Sequence, residues 1–134
     1  MPHLVILYTP QLDAETDMTV LCRSLADTMI EQRDEAEKPV FPIGGTRVLA
    51  YPAAHYAVAD DKRDYAFVYL NLRMGRGRSD AVKKRIGEAL VATARAHFAA
   101  IFEKRYLGIT LQIDEGQEQF DAKHSTIHPL FQKG

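Results

Sequence analysis

Residues 65–74 read YAFVYLNLRM, and their strict alternation decides the fold. Side chains of a β-strand point to opposite faces with a period of two residues. One face of this strand would carry Ala66, Val68, Leu70, Leu72 and Met74, and the other Tyr65, Phe67, Tyr69, Asn71 and Arg73. The first set is a core face, whereas the second holds too much aromatic surface to remain in water. The stretch therefore predicts a strand whose two faces both need cover.

Three further strands are predicted on either side of this stretch. Leu4–Tyr8 is a continuous apolar run, and residues 107–113 alternate between apolar and polar side chains. Thr46–Tyr51 is the third run, and it follows the pair Gly44-Gly45. We expect this pair to form a turn through positive φ angles, which glycine adopts readily.

Two long segments have the spacing of amphipathic helices. In residues 13–32 the apolar side chains fall on one stripe, and Asp13 or Thr16 could cap the start. The second helix is predicted over residues 80–102, with Ser79 as its N-cap.

The elements occur in the order β-α-β and then β-α-β again. With right-handed crossovers, two such units build a four-stranded sheet that carries both helices on one face. The predicted fold class is therefore α/β, with two fused β-α-β units in a single domain over residues 1–134. The helix-free face would leave aromatic side chains in water, so we expect the chain to self-associate.

Composition excludes several classes of protein. The chain of 134 residues has 17 basic and 18 acidic residues, and this balance argues against a nucleic-acid binder. A hydrophobic fraction of 46% argues against disorder, and no apolar run approaches the ~20 residues of a membrane span. The single cysteine, Cys22, cannot form a disulfide within the chain. These features predict a cytoplasmic protein that binds neither nucleic acid nor membranes.

Pro2 is chemically the most unusual residue. An initiator methionine before proline is normally removed, so we expect the mature chain to begin with the secondary amine of Pro2. Such an amine is a base or a nucleophile near neutral pH when burial or nearby cations lower its pKa. While Met1 remains, the same nitrogen is an amide and cannot act as a base. Position alone does not decide the role, since most prolines here only permit removal of the methionine.

Two arginines lie at ends of predicted elements, where functional side chains are often placed. Arg47 follows Gly44-Gly45, and Arg78 lies in the glycine-flanked loop before the second helix. A guanidinium can bind a carboxylate through two hydrogen bonds, and it also raises the cost of protonating a neighbouring amine. Taken singly, either arginine is better explained as a surface charge.

Other chemically capable residues favour structural roles. The five histidines show no metal-ligand spacing, so we expect no metal site, and His124 and His128 are interpreted as tail residues. His97 falls on the apolar stripe of the second helix, and Cys22 on that of the first, which predicts a semi-buried imidazole and a buried thiol. Residues 75–77 lack the third glycine of a dinucleotide-binding loop.

Several motifs in register resemble the 5-carboxymethyl-2-hydroxymuconate isomerase family, within the tautomerase superfamily. They are Met1-Pro2-His3, Phe41-Pro42-Ile43-Gly44-Gly45-Thr46-Arg47, Asp64-Tyr65-Ala66-Phe67-Val68, Gly75-Arg76-Gly77-Arg78-Ser79 and His97-Phe98-Ala99-Ala100. Their order and spacing hold along nearly the whole chain, apart from a few extra residues around positions 34–38.

The resemblance implies a tautomerase-like fold assembled as a homotrimer around a central axis. It implies that Pro2 acts as general base and then general acid, moving a proton from the 2-hydroxyl of a dienol to a distant carbon. Arg47 and Arg78 would bind the carboxylates of this small substrate, an intermediate of homoprotocatechuate degradation, and stabilise charge on its oxygen. Neither a metal nor an organic cofactor is implied.

Two alternatives remain open from the sequence. The chain could be a tautomerase for a different enol acid, such as a phenylpyruvate-like one. It could also be a non-catalytic trimeric module that keeps the tautomerase scaffold.

Overall fold

The YAFVYLNLRM stretch forms one of the two central strands of a mixed four-stranded sheet. The computed structural model describes residues 2–132. The strands, in chain order, are β1 (His3–Tyr8), β2 (Arg47–Pro52), β3 (Tyr65–Met74) and β4 (Tyr106–Glu115). Their spatial order is β2-β1-β3-β4. The pairs β1–β2 and β3–β4 are parallel, whereas β1 and β3 are antiparallel. Each parallel pair belongs to one β-α-β unit, so the predicted fold class is confirmed.

Three helices accompany the sheet: α1 (Met18–Ile30), α2 (Asp80–His97) and the short α3 (Ala99–Phe102). Short 3-10 turns cover Pro10–Ala14, Ile43–Gly45 and His128–Phe131. Within residues 2–132, every helix is too short or too polar to cross a lipid bilayer.

The first helix begins later than its apolar spacing predicts. Residues 10–14 form a 3-10 turn that starts at a proline, and the N-cap is Asp17, so the prediction of Asp13 or Thr16 is wrong. Asp17 Oδ1 accepts a hydrogen bond from the backbone nitrogen of Thr19 at 2.8 Å. The backbone nitrogens in the first turn of a helix have no carbonyl partner within the helix, and this bond satisfies one of them.

The second helical segment starts as predicted but is not continuous. Ser79 caps α2, because its hydroxyl accepts a hydrogen bond from the Val82 nitrogen at 3.2 Å. The helix ends at His97, and a new turn starts after Phe98, whose φ and ψ are −95° and 6°. Both Phe98 and Ile101 are buried, so the interruption lets the two side chains enter the core on either side of the break.

The core lies between one sheet face and the two long helices. The inward side chains of β1 and β3 are almost fully buried, as are the apolar stripes of α1 and α2. Among the fully buried members on these four elements are Leu4, Ile6, Val68, Leu70, Leu72, Leu21, Leu25, Met29, Leu90 and Ala94. Both long helices therefore cover the same face, as the order of elements predicts.

The opposite sheet face is uncovered in the single chain. The strand pairing aligns Tyr51, Leu7, Tyr69 and Thr110 in one row across all four strands. Leu7 is 48% exposed and Tyr51 49% exposed. The face is therefore apolar and open to solvent, as the alternation in β3 predicts.

Gly108 makes room for an aromatic ring on this face. It pairs with Phe67, and a Cβ atom at position 108 would lie 2.7 Å from Phe67 Cε2. Real Cβ atoms do not approach other atoms so closely, because the repulsion is too strong. The glycine in β4 is therefore required by the position of the Phe67 ring.

Gly108→Ala should lower the free energy of unfolding by about 1–3 kcal/mol, because the Phe67 ring must move away from its strand neighbour. Gly87→Ala is the matched control: its Cβ would meet only Ile113 Cδ1 at 3.5 Å, and alanine favours the helix. Denaturant unfolding of both variants checks this. Equal free energies for the two variants would contradict the packing role of Gly108.

His97 makes the stability of the fold depend on pH. Its Nε2 lies 2.8 Å from Thr16 Oγ1, and burial lowers its pKa from the ordinary 6.5, an effect that Asp17 partly opposes. Below about pH 6.5 the unfolded chain binds the proton first, so the folded state loses stability until the folded pKa is reached.

His97→Gln should therefore reduce the loss of stability between about pH 7.5 and pH 5.5. Part of the decrease in the free energy of unfolding should persist in this variant, because burial also lowers the pKa of His3. Unfolding free energies at the two pH values measure the effect, with His55→Gln in an exposed loop as control. The prediction fails if His97→Gln and the wild type lose equal stability.

Candidate active site

Pro2 is buried at the head of β1, immediately before His3. It lines a cavity of about 310 Å³ between the segment 40–42 and the loop that leads into α2. The backbone of β1 is paired on both sides, with β2 and with β3, so the strand fixes the position of its first residue. Met1, whose removal the sequence predicts, lies outside the described residues.

Arg78 lines the same cavity as Pro2. It precedes the N-cap of α2, and its Nη2 donates a hydrogen bond to the carbonyl oxygen of Val40 at 2.8 Å. Val40 is buried, whereas Arg78 is exposed, so the guanidinium is held at the rim of the cavity. Two of the three residues predicted from the sequence therefore meet at one cavity.

Arg47 lies next to this cavity and does not line it. It pairs with His3 across β1 and β2, and its Nε donates a hydrogen bond to His3 Nδ1 at 2.9 Å. Burial and the Arg47 charge lower the pKa of His3, which favours the neutral ring that accepts this bond. Arg47 lines a neighbouring cavity of about 900 Å³.

The neighbouring cavity is rich in charged groups. Arg73 of β3 flanks His3 on the side opposite Arg47, and its Nη2 forms an ion pair with Glu118 Oε1 at 3.0 Å. Lys123 forms an ion pair with Asp121. Hydrogen bonds from its own backbone and from Arg73 lower the pKa of Glu118, and the Lys123 hydrogen bond lowers that of Asp121. Basic and acidic side chains thus alternate along this wall.

The C-terminal segment, residues 116–131, folds back over these cavities. Its start is held by the Gly116 nitrogen, which donates to the Met74 carbonyl at 2.9 Å, and by Arg76 Nε, which donates to the Gly116 carbonyl at 2.9 Å. Farther along, His128 lines the Pro2 cavity, and its Nδ1 is buried without a hydrogen-bond partner. This segment therefore supplies part of the candidate site.

The expectation that Gly44 adopts a positive φ angle is wrong. The glycine is needed for a different reason, which is the path of the C-terminal segment. Among the glycines of residues 2–132, only Gly77 has a positive φ, whereas Gly44 lies in a 3-10 turn. A Cβ atom at position 44 would lie 2.5 Å from the Cα of His128. The glycine is needed because the C-terminal segment passes directly over the turn.

Lys123 and His128 line the candidate site, and sequence reasoning did not place them there. The stretch around them is polar and aperiodic, and nothing local distinguishes it from a solvated tail. The one indirect signal is the Gly44-Gly45 pair, which marks a close approach without naming the approaching chain. Across residues 2–132, no three His, Cys, Asp or Glu side chains converge in a way that could hold a metal ion.

A separate open cleft of about 820 Å³ lies between α1 and β2. Asp13, Glu15 and Asp17 line it together with neutral side chains, and no described basic residue does. Its charge opposes the binding of a carboxylate, because like charges repel. An anionic ligand is therefore favoured at the cavities beside Pro2.

Comparison with known proteins identifies the family of the chain. A family model described as 5-carboxymethyl-2-hydroxymuconate isomerase matches residues 2–131. The chain belongs to this family. Its matched region includes Pro2, Arg47, Arg78 and the C-terminal segment.

Individual members of the 5-carboxymethyl-2-hydroxymuconate isomerase family are similar over nearly their whole length. The 5-carboxymethyl-2-hydroxymuconate Delta-isomerase of Escherichia coli is 30% identical over 98% of this chain and 99% of that protein. A crystal structure of a 5-carboxymethyl-2-hydroxymuconate delta-isomerase is 55% identical, covers 100% of this chain and 95% of that one, and superposes with a TM-score of 0.95. The isomerase from Deinococcus radiodurans R1 is 38% identical over 98% and 95%, with a TM-score of 0.87. The chain is therefore an isomerase.

Proposed function

We propose that this isomerase acts on 5-carboxymethyl-2-hydroxymuconate, with the free amine of Pro2 as the group that moves the proton. The observation that carries the proposal is the shared cavity of Pro2 and Arg78. A buried amine beside a guanidinium is costly to protonate, so it remains a base at neutral pH. Members of the family carry this substrate in their names.

The proton transfer begins at the 2-hydroxyl of the dienol. Pro2 nitrogen accepts this proton, the oxygen becomes a carbonyl, and the electron pair moves along the conjugated system. The protonated amine then donates the same proton to a carbon farther along that system, which yields the 2-keto acid and restores neutral Pro2. One group of moderate pKa performs both steps, as general acid–base catalysis requires.

Arg78 and Arg47 bind the substrate in this proposal. Arg78, held by Val40 at the rim of the cavity, stabilises the negative charge that develops on the substrate oxygen or an adjacent carboxylate. Arg47, oriented by His3, holds a carboxylate in the neighbouring cavity. A substrate that extends across both cavities would reach Pro2 and the two guanidinium groups together.

Removal of Met1 should be essential for activity, because only the free amine of Pro2 is basic. We expect Pro2→Ala to lower kcat/KM by about 100-fold or more, since a primary and less rigid amine replaces the base. Turnover is followed by ultraviolet absorbance of the dienol, after intact mass has established loss of Met1. Pro52→Ala, at the far end of β2, is the matched control.

Arg78→Ala should raise KM if Arg78 binds the ground state, or lower kcat if it binds only the transition state. Arg95→Ala on α2 controls for loss of one positive charge. The proposed site is wrong if both Pro2→Ala and Arg78→Ala retain the wild-type kcat/KM. A Met1-free protein that converts no enol acid would instead favour a non-catalytic trimeric module.

We also infer that three copies of the chain assemble around the uncovered sheet face. The exposed apolar row on that face supports this, since a second hydrophobic surface is needed to exclude water from it. Leu7, at the centre of the row, would then be buried between subunits.

Sedimentation of the wild type should give three times the chain mass, and Leu7→Glu should sediment as a monomer, because a carboxylate cannot be buried unpaired. Val20→Glu is the matched control: Val20 is 52% exposed on α1, away from the sheet face. A wild-type monomer, or a Leu7→Glu trimer, would contradict this assembly.

A further inference from the structure

Lys123 occupies a position that the proposed mechanism does not use. The 310 Å³ cavity of Pro2 and Arg78 and the 900 Å³ cavity of Arg47 share the lining residues Met74, Gly75 and Lys123. Of the described residues, Lys123 alone brings a charge to both cavities. A cation therefore stands between the two arginines that are placed to bind carboxylates.

The C-terminal segment holds Lys123 from both sides. Before it, the Gly116 nitrogen donates a hydrogen bond to the Met74 carbonyl at 2.9 Å, and Arg76 Nε donates one to the Gly116 carbonyl. After it, the backbone of His128 passes so close to Gly44 that no Cβ atom would fit between them. A lysine between two anchored points has a restricted range of positions, so less conformational entropy is lost when it binds a ligand.

The ammonium group of Lys123 is available to a ligand. Its ion-pair partner is Asp121, only two residues away, and the two side chains are 46% and 54% exposed. An exposed pair between flexible side chains contributes little stability, so a substrate carboxylate can replace Asp121 at low cost.

We propose that Lys123 binds an additional carboxylate of the substrate and selects polycarboxylates over enol acids with a single carboxylate. This inference rests on the proposed function for its substrate, which carries three carboxylates. Arg78 lies at the Pro2 cavity, Arg47 in the neighbouring cavity and Lys123 between them, so each carboxylate has a cation within the combined site. Lys123 is thus a specificity-determining residue and takes no part in proton transfer.

The test compares Lys123→Met with Lys123→Arg on two substrates, in Met1-free protein. For 5-carboxymethyl-2-hydroxymuconate, Lys123→Met should raise KM about tenfold with little change in kcat, because a charge-assisted hydrogen bond is lost. For the enol of phenylpyruvate, which has one carboxylate, the change should stay within about twofold. Lys123→Arg should keep KM close to the wild-type value, since arginine keeps the positive charge.

Lys104 is an exposed lysine just after α3, and Lys104→Met controls for the change in net charge. Equal effects of Lys123→Met on both substrates, or no effect on either, would overturn the inference. In both cases the proposed function would stand, since the wild type would still convert the substrate.

A binding measurement separates the inference from the proposed function. Calorimetric titration compares propane-1,2,3-tricarboxylate with butyrate, and Lys123→Met should weaken only the tricarboxylate, again about tenfold. Suppose that the Met1-free wild type converts no enol acid, but Lys123→Met weakens the binding of the tricarboxylate alone. The proposed function then fails, and the role of Lys123 in binding carboxylates stands. If it neither converts enol acids nor binds the tricarboxylate, both are overturned.

Discussion

The pairing of β1 on both of its edges is the constraint on which the site depends. At His3, β1 is aligned with Arg47 of β2 on one side and with Arg73 of β3 on the other. This register places Pro2 at the end of a strand that cannot shift without breaking two ladders of hydrogen bonds. Arg47 and Arg73 then flank His3, the residue after the proposed base, and both line the cavity next to that of Pro2.

Such a concentration of positive charge needs compensation when no ligand is bound. The C-terminal segment supplies part of it, since Glu118 pairs with Arg73. The same segment also brings Lys123, which is paired with Asp121 of the segment itself, and the imidazole of His128 to the cavities. One stretch of chain therefore offsets part of the charge of the site and forms part of its wall, and its path is fixed by close packing against Gly44.

Local pattern was enough to predict the sheet and the Ser79 cap, because alternation, capping and element order are properties of neighbouring residues. Only the family resemblance placed Pro2 and Arg78 in one site. The same reasoning was wrong about Gly44 and the start of α1, and it missed Lys123 and His128. The start of α1 is set locally, by the turn at Pro10 and the cap at Asp17, whereas the other three depend on which distant backbone passes nearby. His128 is 84 positions from Gly44 by the printed numbering, and nothing in either stretch encodes that distance. The roles of Pro2, Arg47 and Arg78 remain predictions.

The C-terminal segment divides the chain into a scaffold and a wall. All four strands and both long helices lie between His3 and Glu115, and the core cluster takes no residue from the segment after them. The segment contributes Lys123 and His128 to the cavity wall instead. Local unfolding of residues 116–131 would therefore leave the sheet and its core intact while it opened the Pro2 cavity to solvent.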